Sequence, residues 1–164
     1  MSEILPDDVR ALREALEASP EDVTVTLSLT RKSAETTRWN DNDQYGHMNN
    51  ATYFEYIDTA VNGWLMQETG VDIRDLPAIG IVASTGCDYF AELGFPDTIE
   101  IGLATSRIGT SSITYRLGIF RAGDPALRAL AHFVHVYVDA ETRRPVPIPD
   151  VVRAAVETLP RVDS

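Results

Sequence analysis

Between Asp41 and Asn50 the chain reads DNDQYGHMNN, which sets two carboxylates, an imidazole and several carboxamides around one glycine. Each type has a chemistry. A carboxylate serves as nucleophile or general base, and a neutral imidazole accepts or relays a proton. If a helix begins just after these residues, its first N–H groups have no intrahelical acceptor and suit an anion or a carbonyl oxygen that is gaining charge. Calcium is a competing reading, because Asp41-x-Asp43-x-x-Gly46 matches the opening of a helix–loop–helix calcium loop. That loop needs an oxygen side chain at its fifth position and a bidentate acid at its twelfth, where this chain has Tyr45 and Thr52. Zinc fares no better: of the 3 histidines, His132 and His135 lie three apart on an expected strand and so face opposite ways. No metal site is expected. Capping would account for one or two polar residues, Asp41 and Asn49 among them, and leaves the rest of the cluster without a reason.

The elements that must position this loop follow from periodicity. Residues 50–69 carry Tyr53, Ile57, Ala60, Val61, Trp64 and Leu65 at three- and four-residue steps, which predicts one long helix with a strongly apolar face. Asn49 or Asn50 would cap it, and Gly70 suits the left-handed residue after its end. Gly63 inside it costs about 1 kcal/mol relative to alanine, and a close approach by another backbone would compensate. Residues 7–18 read as a short amphipathic helix, 23–30 as an alternating strand and 35–39 as a further short strand leading into the cluster. After the helix come four strands at 80–90, 97–108, 112–121 and 127–138, separated by Gly, Pro and Asp turn residues. A short helix at 150–159 closes the chain. Short links make the four strands an antiparallel meander. The result is an α+β domain with one curved antiparallel sheet around a single central helix.

Composition narrows the partners. At 164 residues a single domain is the default. Fourteen basic against 25 acidic residues give a net charge of −11 with no long Lys/Arg cluster, which argues against nucleic acid. Apolar runs are too short to span a membrane. The N-terminus lacks the pattern of a secretory signal, and Cys87, the single cysteine, has no partner for a disulfide; both favour a reducing, cytoplasmic setting.

The stretch RWNDNDQYGHMNNATYFEYIDTA resembles the signature of hotdog-fold acyl-CoA thioesterases of the 4-hydroxybenzoyl-CoA thioesterase type, Asp-x-Asp-x-x-Gly followed by His or an apolar residue and then a Tyr on the central helix. The resemblance extends over residues 36–149. It implies a hotdog domain at 23–164 behind a helical extension at 1–22. Residue by residue, it implies Asp43 as the catalytic nucleophile or base, Asp41 in a supporting role, Gly46 in the turn, and the backbone amide of Asn50 as the group that polarises the thioester carbonyl. His47, Asn49 and Tyr53 match polar residues of the acyl-CoA branch, with His47 placed to orient Asp43 or water, although Tyr53 also reads as core and His47 as a loop histidine. Related enzymes use a glutamate of the central helix instead, which would be Glu55 or Glu68. No cofactor is implied beyond the coenzyme A of the substrate. A homodimer or dimer of dimers is implied, with sites between protomers. Lys32, Arg107, Arg116 and Arg121 are candidate phosphate contacts, and Ser84, Thr85 and Tyr89 candidate pocket walls. Two other readings stay open: a module that binds acyl-CoA without turnover, and a hotdog dehydratase.

Overall fold

A computed structural model describes residues 32–163. The expected helix at 7–18 and strand at 23–30 lie outside these residues. The described chain runs β1 (Lys32–Thr36), a single 3-10 turn (Trp39–Asp41), α1 (Thr52–Thr69), a second 3-10 turn (Ile73–Asp75), β2 (Ala78–Tyr89), β3 (Thr98–Ile108), β4 (Ser112–Arg121), β5 (Leu127–Asp139) and α2 (Asp150–Val156). The strands form one antiparallel sheet in the order β1-β3-β4-β5-β2. Because α1 joins the two edge strands, it must cross the whole sheet. It does so on the face built from alternate residues such as Ile101, Leu103, Tyr115, Leu117, Phe133 and Tyr137, all buried.

The face of α1 expected to be apolar is the buried one: Tyr53, Ile57, Ala60, Val61, Trp64 and Leu65 all pack into the core. Each fully buried Ile or Leu contributes about 1.5–3 kcal/mol relative to an exposed one. Glu55, Asp58, Thr59 and Gln67 remain exposed on the opposite face, so the helix is covered on one side only. Gly70 ends it in the left-handed conformation, φ 68°, donating its N–H to Met66.

Three expectations need correction. The segment at 35–39 is not a separate strand: β1 is already paired with β3 at Lys32–Thr36, and the chain then coils into the 3-10 turn because the buried Asp41 finds partners in Arg38 before it and Tyr56 beyond it. The helix begins at Thr52, since Asn49 binds the Ala51 amide and holds the preceding residues in a turn. Nor does another backbone approach Gly63: among the described residues nothing lies within 4 Å of a Cβ built there.

Candidate active site

The cluster is a loop braced from three directions. Asp41, only 2% exposed, accepts hydrogen bonds from the Arg38 amide (2.7 Å), from Arg38 Nε (3.0 Å) and from the Tyr56 hydroxyl of α1. Burial alone would raise its pKa, but the Arg38 and Tyr56 bonds outweigh that and hold the carboxyl below the usual range. The same pair explains why Tyr56 is pushed up to about 12, through burial first and the hydrogen bond to Asp41 second. Asp41 is therefore a strut between the 3-10 turn and the helix. Its carbonyl also takes the Asn49 amide at 2.8 Å. The second brace is the β2–β3 connection, where the Leu93 carbonyl accepts from Met48 N–H (2.7 Å) and Asn42 Oδ1 accepts from Phe95 N–H (3.0 Å).

Asp43 sits at the tip in a different environment. Its amide donates to the His47 carbonyl (2.8 Å) and its own carbonyl accepts from Gly46 N–H (3.1 Å), closing a turn that needs the positive φ of Gly46, 81°. Carboxylate oxygen Oδ1 accepts one backbone N–H, that of Tyr45, at 2.8 Å. Among the described residues, no cation pairs with Asp43 and Oδ2 has no donor. That oxygen is free to act on a ligand.

The third brace lies at the helix start. Asn49 Oδ1 takes the Ala51 amide (2.9 Å), the Asn49 carbonyl takes that of Thr52 (2.9 Å), and the Asn50 carbonyl accepts from the Tyr89 hydroxyl of β2 (3.1 Å). From Met48 to Thr52, the Asn50 N–H alone has no acceptor among the described residues. It stands at the positive end of the 18-residue helix α1. Asp43, His47, Asn50, Tyr53, Tyr89 and Leu93 line one open cleft of about 320 Å³, so the loop aspartate and the residue at the helix start share a cavity. Tyr53 is both core and wall: it is buried, its pKa is pushed up to about 12 by that burial, and its ring meets Tyr89 edge to face at 4.9 Å.

Other expected residues fall elsewhere. Among the described residues the His47 ring makes no hydrogen bond to Asp43; its Nε2 lies 3.1 Å from Glu92, another cleft residue. Ser84 and Thr85 do not line this cleft, because they bond His132 on the sheet surface through its Nε2 (3.1 Å) and its carbonyl (3.1 Å). Glu55 points to Arg38 (3.2 Å), and neither it nor Glu68 reaches the cleft. Arg121 is held by Asp97 (3.1 Å), which removes it as a free phosphate contact; Arg107 is exposed and Arg116 half-buried, while the Lys32 side chain lies outside those described. His132 and His135 do face opposite ways. His135 is buried beside a second cavity of about 370 Å³ under the C-terminal half of α1, and burial lowers its pKa to about 4. Glu92, Phe90 and Leu93 were not legible as site residues. They reach the cleft only because β2 returns past the helix start, and no motif in the sequence marks that return.

Residues 37–156 match the thioesterase-like superfamily. The PA5185 protein from Pseudomonas aeruginosa strain PAO1 is 44% identical, and its crystal structure superposes with a TM-score of 0.78 over 82% of this chain and 94% of that one. The PA2801 protein of Pseudomonas aeruginosa is 30% identical, with a TM-score of 0.71 over 77% of this chain and 98% of the other. At 17% identity, Slr0204 from Synechocystis, a 1,4-dihydroxy-2-naphthoyl-CoA thioesterase, shares the fold with a TM-score of 0.73 over 79% and 97% of the two chains.

Proposed function

The chain belongs to the thioesterase-like superfamily and has the hotdog fold, and from that premise we propose that it hydrolyses an acyl- or aroyl-CoA thioester to the free acid and CoA. The observation that carries the reading is the juxtaposition of an unpaired carboxylate, Asp43, and an unpaired helix-start amide, Asn50, on one cleft. In this mechanism the thioester oxygen accepts from Asn50 N–H, whose dipole grows more favourable as the carbonyl becomes an oxyanion. Asp43 attacks the carbonyl carbon, or takes a proton from the water that attacks it. Collapse of the tetrahedral species breaks the C–S bond, and the departing thiolate takes up a proton. In the nucleophilic variant a second water cleaves the acyl anhydride and restores the carboxylate. The aromatic lining from Tyr53, Tyr89 and Phe90, and the named aroyl-CoA activity of Slr0204, favour aroyl thioesters as the first substrates to try.

A homodimer formed along β2 belongs to the same proposal. Among the described residues this edge strand pairs with β5 alone, and it leaves Ile81 and Val82 42% and 47% exposed.

The deciding experiment measures free thiol released from aryl-, short-, medium- and long-chain acyl-CoAs by the parent and by Asp43→Asn. The amide keeps an oxygen for the Tyr45 N–H, so the loop is preserved while the charge is lost. The variant should fall at least about a hundredfold in kcat/KM, roughly 2.7 kcal/mol of barrier. Absence of turnover on every thioester, with binding retained, would leave an acyl-CoA binding module in its place.

A further inference from the structure

We propose that His47, held by Glu92, is the acid that protonates the departing thiolate; this rests on the thioesterase reading above and concerns its nucleophilic variant. When a carboxylate adds to a thioester, the tetrahedral species can expel either group, and the carboxylate, the weaker base, leaves more readily than an alkyl thiolate. Unassisted, the species returns to substrate. A proton delivered to sulfur as the C–S bond breaks reverses that preference, because a thiol then departs in place of a thiolate. The cleft offers few groups for this task. Asp43, His47, Tyr53, Tyr89 and Glu92 are its titratable residues. Asp43 is engaged in the attack, and a carboxylate such as Glu92 has no proton to give at neutral pH. Burial pushes Tyr53 up to about 12 and Tyr89 well above its ordinary value, so both phenols hold their protons. That leaves His47, since imidazole is the side chain that both carries and releases a proton near neutrality.

The geometry of the pair fits that role. His47 Nε2 lies 3.1 Å from Glu92 Oε2, while Nδ1 has no partner among the described residues. Glu92 therefore takes one ring nitrogen and sets the plane of the imidazole, and the other nitrogen is left for a ligand. Both backbones are anchored. The His47 carbonyl accepts the Asp43 amide at 2.8 Å, and the Glu92 carbonyl accepts Arg128 Nη1 at 3.3 Å. The proton count closes as well. The electron pair of the C–S bond goes to sulfur together with the imidazolium proton, and CoA leaves as the neutral thiol. Water then cleaves the acyl anhydride on Asp43, giving two carboxylates and two protons. One proton restores the imidazolium, which is 45% exposed and open to water, and the other passes to solvent.

The test compares two thioesters of one acid: its CoA ester, and its ester with a nitro-substituted aromatic thiol, whose thiolate leaves without help. Thiol release is followed as kcat/KM, which reports every step up to C–S cleavage. His47→Gln should lower kcat/KM on the CoA ester roughly a hundredfold, and the loss on the aryl ester should be at least about tenfold smaller. Glu92→Ala should cost the CoA ester about 3- to 10-fold in the parent and nothing further in the His47→Gln background, because its effect runs through that ring. A merely structural role at either position would lower the melting temperature and strike both esters alike, and the two losses would add. Equal losses on the two esters, or additive losses in the double variant, overturn the assignment while leaving the thioesterase reading standing. If the parent releases no thiol from any acyl-CoA, both fall together.

Discussion

Two aspartates two positions apart have been given opposite environments. Asp41 accepts several hydrogen bonds in a buried setting, whereas Asp43 accepts one from a peptide N–H at the mouth of a cleft. A carboxylate saturated with donors is a poor base and a good strut; one with a spare oxygen is available for chemistry. Asp41→Ala should therefore act on stability, costing about 2–4 kcal/mol in a urea titration, because the Tyr56 hydroxyl and the Arg38 amide would be left buried without an acceptor. Most of that is not the ion pair, since Arg38 is largely exposed and such pairs are worth little. The pH dependence has a definite sign. The folded pKa of Asp41 is lowered, so its stabilisation is complete above the unfolded value near 4 and disappears as pH falls through the folded one. The gap between parent and Asp41→Ala should narrow in that acid range by the part that depends on the charge, and a gap that does not change with pH would refute an ionised strut. The resemblance already implied a division of labour, with Asp43 catalytic and Asp41 supporting, but not its physical basis. That division comes from Tyr56, 15 residues along the chain, and from Arg38, neither of which carries a sequence signal for it.

At the scale of elements, α1 was readable because its constraint is local and periodic. Apolar residues at three- and four-residue steps must share a face, and a glycine follows where the last turn needs a left-handed residue. Strands β3 to β5 were readable for the same reason, down to the face on which His135 lies. What periodicity could not give is how the chain enters the helix. Residues 35–39 alternate well enough for a strand, but the partners of Asp41 and Thr37 lie in α1 and at Asp97, and these draw the chain into a 3-10 turn. Gly63 was read as a compromise with a neighbouring backbone, and no described residue supplies one. Gly63→Ala should consequently stabilise the fold by about 0.5–1 kcal/mol, the ordinary helix advantage of alanine, seen as a higher midpoint in thermal melting. A lower midpoint would mean that another chain does approach α1 at that position.

For the whole molecule, the two edges of the sheet are unlike. β1 carries Glu35, a charge of the kind that discourages edge pairing, whereas the exposed stretch of β2, Ile81 to Thr85, has no charge and no proline. An uncharged edge whose outer ladder is unpaired among the described residues is where a second copy would add its own β2, extending the sheet. The net charge of −11 opposes any such contact at long range. Association should thus strengthen as salt rises, because screening relieves the repulsion while burial of Ile81 and Val82 is retained. Sedimentation velocity at micromolar concentration should find a dimer for the parent, a larger dimer fraction at about 0.5 M than at about 0.05 M salt, and a monomer for Val82→Lys, which sets two extra cations near each other on the edge. If sites form between protomers, thiol release per chain should fall with the dimer fraction in the same dilution series. A parent that stays monomeric throughout, or a Val82→Lys variant that dimerises as the parent does, would show that this edge is not the interface.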